Sequence, residues 1–492
     1  MSGNNQDRYP RVLLVVFLLT LPFVNPYVRG DGNGYYAYVR SVVIDRDLRF
    51  EDEFRRGDPA FRGAIFDEHD RVRPDLLTGG GYVKNQWAVG PSLLWAPFFV
   101  LAHAFAGLCS WLGINIPADG YSWPYRWLCA AGTASYAFAG LLLMYHVAQR
   151  LTSRGAAFVA TIAIWFASSF AIYAYFVPFH VHGVASFSVA LLLWYWFRMA
   201  SGSDVRHWAV WGAIGGLVVE IYQLNALFLL IALAELVREA TAGAPGRRWP
   251  ALRKATAHGL AFSVCAVIAL GPHFVIKWRI HGSPWKTGYE DRFFWESPRL
   301  FQVALSPEHG LLLWTPVLAL AVVGLVLFQR RDRWRGGLLV VTFIVYYYVV
   351  ASYQNWHGQS SFGNRFFVSF TPAFVIGLAT LLRAAHRTPA HLAVSGAPHA
   401  RWSLRSSGFS PGLLIFLGAL ILWNAGFMFQ WGTNVIPNRG PVDMRIVATN
   451  QFTIVPMRLP RLLGRYFAKR DDMIREVERE DLTEFRSYHL RR

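Results

Sequence analysis

The chain has 492 residues, 54% of them hydrophobic and only 16% charged, with a formal charge of +18. That balance is too apolar for a run of ordinary soluble domains, and the apolar residues gather into stretches of roughly 17 to 25, long enough to cross a bilayer core as helices. The basic excess does not point to nucleic acid, because many of the Lys and Arg residues lie in short loops beside apolar stretches and no recognition motif accompanies them.

The first apolar stretch, residues 12–28, follows Arg8 and Arg11 but lacks a small-residue cleavage site, so it reads as an uncleaved first span with a cytoplasmic N-terminus. The polar segment after it, 29–84, balances acidic against basic residues and is expected outside. Residues 87–108 open with Gly90-Pro91 and contain Pro97; they could cross or lie along the outer surface. Placing the basic clusters at 150–154, 198–206, 238–254, 330–335 and 383–405 inside requires that 87–108 not cross fully. It also requires that 208–236 be two short helices. Glu220, Gln223 and Asn225 mark the break, since a carboxylate at mid-membrane is costly unless it faces a polar cavity.

Further spans are expected near 127–148, 156–176, 183–197, 257–278, 311–329, 337–352, 366–382 and 412–430. The predicted fold is therefore an all-α polytopic membrane protein of about eleven transmembrane helices. Residues 1–431 form one transmembrane module whose first external loop, 29–126, carries juxtamembrane helices. Residues 432–492 form a charged amphipathic tail, a small cap or surface helix on the outside. Cys109, Cys129 and Cys265 fall in apolar stretches, form no C-x-x-C pair and read as packing residues.

On this topology Asp31, Lys84, His180, His182 and the loops 286–292 and 355–365 share the outer face. Asp31 lies in Arg29-Gly30-Asp31-Gly32-Asn33-Gly34-Tyr35-Tyr36. Glycines permit a tight turn that returns the carboxylate to the membrane surface, where desolvation would raise its basicity and suit it to general-base work. The bland alternative is a turn aspartate capping a helix that begins near Tyr35. A histidine at this face would suit acceptor positioning or proton transfer, and His182 is the catalytic candidate rather than His180 because it opens the following helix. Metal binding by that pair is disfavoured, because residues two apart on a helix point to different sides. Glu220 and Gln223 could contact a lipid carrier or satisfy broken backbone. Aromatics near the outer face, Tyr35, Tyr36, Trp87, Trp123, Tyr289, Trp295 and Trp356, read mostly as interfacial belts, although rings also stack on sugars.

A carboxylate just after the first span, within D-x-x-x-Y-Y, resembles the GT-C glycosyltransferases, in particular bacterial relatives of protein O-mannosyltransferases and aminoarabinose transferases. The resemblance spans nearly the whole chain. It includes Lys84-Asn85-Gln86-Trp87-Ala88-Val89-Gly90-Pro91, Leu305-Ser306-Pro307-Glu308-His309-Gly310-Leu311, and Trp356-His357-Gly358-Gln359-Ser360-Ser361-Phe362-Gly363-Asn364-Arg365. It implies an inverting transfer from a polyprenyl-phosphate-linked sugar to an extracytoplasmic glycan, lipid or protein, in the inner membrane. Asp31 would be the catalytic base and Lys84 and Arg365 the phosphate-binding cations. Tyr35, Tyr36, His180, Glu220, Gln223, Tyr289, Trp356 and Asn364 would lie around the substrate. Two departures stand out. Gly32 follows Asp31 where many members carry a second acid, and Pro178-Phe179-His180-Val181-His182 stands where many carry an acidic residue. No cofactor is certain, and a divalent metal stays open. The rival readings are a transporter or flippase, for which paired repeats are missing, and a glycan polymerase or ligase, whose large late external loop is missing.

Overall fold

A computed structural model of the chain describes residues 8–199, 204–242, 248–289, 292–385 and 409–490. Parts of the expected loop 286–292 and of the basic clusters 238–254 and 383–405 lie outside the described residues. Helices dominate, and the extended pairings among the described residues are isolated bridges, Phe66 with Val72, Leu77 with Val83 and Phe293 with Tyr353. The chain is an all-helical, multi-pass membrane protein.

Five helices among the described residues are long and apolar enough to cross a membrane: Gly90–Trp111, Trp123–Leu151, Arg333–Ser352, Arg365–Ala385 and Pro411–Gly432. Arg248–Ala269 and Gly271–His281, bent by 48°, make a sixth if counted together. Among the described residues the expected count of about eleven is not matched by eleven unbroken helices of spanning length, because breakers divide several of the expected stretches. The 311–329 stretch splits into Leu311–Trp314 and Val317–Arg331 at Pro316, which has no N–H to donate. The 156–176 stretch gives Arg154–Ala167 and then a separate wide turn, Ile172–Phe176. The 208–236 stretch, expected as two short helices, gives Val205–Ile221, breaks at Tyr222, and resumes as Gln223–Leu229 and Leu230–Thr241.

Length alone does not make Gly90–Trp111 a crossing helix. It runs antiparallel to the first part of Trp123–Leu151: the Tyr136 hydroxyl donates to the Leu94 carbonyl, Trp95 Nε1 donates to Thr133, and Phe105 packs on Trp123. The first apolar helix, Tyr9–Thr20, meets Trp123–Leu151 further along, where Phe17 stacks on Phe138 at 4.3 Å. Gly90–Trp111 thus lies along the first half of Trp123–Leu151, which the first helix also meets at Phe138.

The helix carrying Asp31 begins at Asp31 itself and runs to Arg40, rather than starting near Tyr35. Gly30 precedes it with φ of 54°, in the left-handed region that glycine tolerates. Its N–H donates to Asp58 Oδ2 at 2.7 Å, and the same oxygen accepts from Asn33 Nδ2 at 2.9 Å. A second glycine is needed for space, since a Cβ on Gly34 would sit 1.9 Å from Trp87 Cε3. Gly34→Ala is therefore expected to lower stability by about 1–3 kcal/mol and to displace Trp87. Thermal unfolding in detergent checks it, and an unchanged midpoint would contradict the tight packing.

The tail folds as three helices, Met444–Phe452, Ile454–Ala468 and Arg470–Leu490. It packs onto the Asp31 end of the bundle. Arg29 lies 3.5 Å from Glu478, and the Tyr466 hydroxyl donates to the Phe23 carbonyl at 2.8 Å.

Candidate active site

A cavity of roughly 530 Å³ opens at this end of the bundle. It draws its walls from distant parts of the chain: Asp31 and Tyr35, the 86–88 loop, His182, the Tyr222–Leu224 break, Tyr289, Phe293, and the segment from Tyr353 to Phe366. Each piece is held by a local device. The 292–299 stretch is laced to the end of Arg333–Ser352, with Phe294 N donating to the Ser352 carbonyl and Gln354 N to the Arg292 carbonyl. The loop before Arg365 is pinned to Tyr173, whose hydroxyl lies 3.1 Å from Ser361 Oγ and accepts from Phe362 N.

On the cavity wall the Arg365 Nη1 donates to Asp31 Oδ2 at 2.7 Å, joining residues 334 apart. The two side chains are 16% and 33% exposed. Arg365 Nη1 also lies 3.4 Å from His180 Nδ1. Burial by itself would raise the Asp31 carboxyl, but the Arg365 and His180 charges, with hydrogen bonds from Arg365 and Trp87, hold it below the ordinary value. The expectation of a carboxylate made more basic by desolvation is thereby corrected: burial is the largest single influence, but Arg365, His180 and Trp87 together outweigh it. Burial also pushes the His180 imidazole down to about 4, with Asp31 working against that and Arg365 with it, so this ring is neutral at pH 7.

Several polar groups around this pair have no hydrogen-bond partner among the described residues. They include Arg365 Nε, His182 Nδ1 and Gln223 Nε2. Buried donors and acceptors are rarely left so, and when they line a cavity they are matched to a ligand or to water. Aromatic rings fill much of the remaining wall.

Of the residues singled out from sequence, Asp31, Tyr35, His182, Gln223, Tyr289 and Arg365 line the cavity, and His180 sits behind the ion pair. Trp87 lines it as well, whereas Lys84, Tyr36, Trp356, Asn364 and Glu220 do not. Lys84 is half-buried in the loop that presents Gln86–Ala88. Tyr36 is wholly buried, donating to the Gly120 carbonyl and packing edge-on against Phe179. Trp356 is buried, and its carbonyl accepts from Asn364 Nδ2. Glu220 is buried at the end of Val205–Ile221. Among the described residues no group of three or more His, Cys, Asp or Glu could hold a metal ion.

Sequence reasoning passed over Tyr222, Phe293 and Tyr353 on the wall, and also Lys277. This lysine is fully buried and its ammonium reaches the carbonyls of Asn85, Trp87 and Thr287 at 2.7, 3.0 and 3.0 Å and the Tyr38 hydroxyl at 3.1 Å. It ties the loop bearing Trp87 to the strand of chain bearing Tyr289. Lys277→Met is expected to lower stability by on the order of 3 kcal/mol, since main-chain acceptors would be left buried without a donor. A thermal midpoint in detergent equal to that of the unsubstituted protein would show the clamp to be dispensable.

These features define a multi-pass helical membrane protein with an ion-paired, aromatic-walled cavity at one end of the bundle. The chain is similar to two crystal structures of ArnT from Cupriavidus metallidurans. One is in the apo state, with a TM-score of 0.47, 14% identity and coverage of 97% of this chain and 74% of that one. The other is bound to undecaprenyl phosphate, with a TM-score of 0.48, 14% identity and coverage of 97% and 75%. No family model and no curated protein matches the sequence.

Proposed function

We propose that the chain is an inverting glycosyltransferase that moves a sugar from a polyprenyl-phosphate donor to a hydroxyl of an extracytoplasmic glycan, lipid or protein. The enzyme would sit in the inner membrane with its N-terminus cytoplasmic and the cavity facing the outer compartment. The observation that carries this reading is the Asp31–Arg365 pair on the cavity wall, with Arg365 Nε still without a partner.

Arg365 suits a phosphate because its planar fork can engage two oxygens at once. A donor phosphate would compete with Asp31 for the guanidinium. As Arg365 turns to it, the restraint on the Asp31 carboxyl weakens and burial makes it a better base. Asp31 then takes the proton of the acceptor hydroxyl while the oxygen attacks the anomeric carbon from the opposite side. The bond from that carbon to the phosphate oxygen breaks, and polyprenyl phosphate leaves with the electron pair, its charge held by Arg365. His182 and Gln223, which line the cavity, would position the sugar or the acceptor, and a volume of roughly 530 Å³ falls in the range of small-ligand sites. Lys84, away from the wall, has no part in this scheme.

The test is transfer in reconstituted membranes from a radiolabelled polyprenyl-phosphate sugar, with no ion gradient. Label moving into an acceptor supports the reading. Label that crosses the membrane while still attached to its lipid, without transfer, overturns it in favour of a flippase.

A further inference from the structure

At about 3.6 residues per turn the Ile454–Ala468 helix divides into three faces. One face docks: Val455 and Tyr466 are buried, with Leu459 and Leu462 half-buried beside them. A second is apolar yet uncovered. Pro456, Met457, Pro460, Leu463 and Phe467 lie along it, with Met457 68% and Phe467 52% exposed. The third is basic, with Arg458, Arg461 and Arg465 at spacings of three and four; Arg465 is engaged by Glu476 at 2.5 Å.

The depth at which this helix sits is set by its contacts. Phe467 packs edge-on against Phe23, at the end of the first apolar helix, with centroids 5.2 Å apart. Arg470, just past the helix, donates to the Pro22 and Val24 carbonyls and lies over the Trp127 ring at 5.0 Å. The uncovered apolar face therefore adjoins the end of a helix that itself exposes Leu14, Val15, Leu18 and Leu19. A surface continuous with a lipid-facing one, at the level where an apolar span ends and edged by arginines, matches the boundary between acyl chains and headgroups.

We propose that the Ile454–Ala468 helix is an interfacial helix, its apolar face sunk among acyl chains and its arginine edge bound to anionic phospholipid headgroups of the leaflet at the cavity end. The proposal is independent of the reaction proposed above. A second copy of the chain would also cover an apolar face, but the arginine edge favours the negative charge of a lipid surface.

The full chain, with Cys265→Ala to remove its partly exposed thiol, is labelled with a nitroxide at Met457→Cys or Phe467→Cys. It is placed in nanodiscs of phosphatidylcholine with or without phosphatidylglycerol. Relative accessibility to oxygen and to a water-soluble nickel chelate should put both labels about 5–10 Å below the headgroups. They should lie deeper when phosphatidylglycerol is present. Combining Arg458→Gln with Arg461→Gln should abolish that lipid dependence while leaving the thermal midpoint unchanged, since both side chains are exposed. Labels as open to nickel as one at Asp471→Cys would overturn the proposal. So would depth indifferent to phosphatidylglycerol, or spin–spin broadening that shows a second copy on this face.

Discussion

Asp31→Asn is expected to lower sugar transfer by roughly 10²–10⁴-fold, the range that a positioned general base supplies, while the protein stays folded and inserted. The substitution keeps the side-chain volume and an oxygen that can accept from Arg365 Nη1, now 2.7 Å away. It removes the charge and the ability to take a proton. The turn at residue 31 does not rest on this carboxylate: Asp58, not Asp31, accepts the hydrogen bonds from Gly30 and Asn33. The measurement pairs initial rates from a labelled polyprenyl-phosphate sugar with thermal unfolding in the same detergent. Activity within tenfold of the unsubstituted protein would remove Asp31 from the base role, whereas loss of both activity and fold would make it structural.

Features encoded by a few adjacent residues were readable before the structure. Apolar runs, the turn made by Gly30, the helix that opens at His182 and the interruption after Glu220 all follow from local hydropathy and breakers. The continuity of individual helices was less readable for a related reason. Hydropathy averages over a Pro316 and reports one stretch, 311–329, where the backbone makes two pieces. Sorting rings into cavity wall and membrane belt was beyond composition, because Tyr289 and Trp295 are both aromatics of one polar loop, yet only Tyr289 faces the cavity. Lys277 was missed because its partners are main-chain carbonyls, which carry no residue-type signal. Lys84, a more visible cation in a recognisable motif, drew the attention instead. The sign of the Asp31 shift also needed coordinates, since burial and a guanidinium pull in opposite directions and only their distance decides between them.

Arg365→Gln is expected to cost roughly 10²–10³-fold in transfer, comparable to removing a donor that stabilises transition-state charge, and to move the acid limb of the pH–rate profile upward. The direction follows from the balance at Asp31. In the unsubstituted protein the carboxyl titrates below its ordinary value because Arg365, His180 and Trp87 outweigh burial. With Arg365 gone, burial is opposed by much less, and the carboxyl titrates at higher pH. A group held below its ordinary value stabilises the fold above that value and loses the contribution as pH falls through the lower one. The variant should therefore also lose the part of its acid stability that this ion pair supplies. Arg365→Lys separates the two roles: it restores a positive charge beside Asp31, and so most of the pH shift, but not the two-pronged hold on a phosphate. Its KM for the lipid donor should stay raised while its acid limb returns toward that of the unsubstituted protein. An acid limb unmoved in both variants would show that Arg365 does not govern Asp31. A donor KM unmoved in both would show that the guanidinium never holds the phosphate, leaving the pair as packing between two distant segments of the bundle.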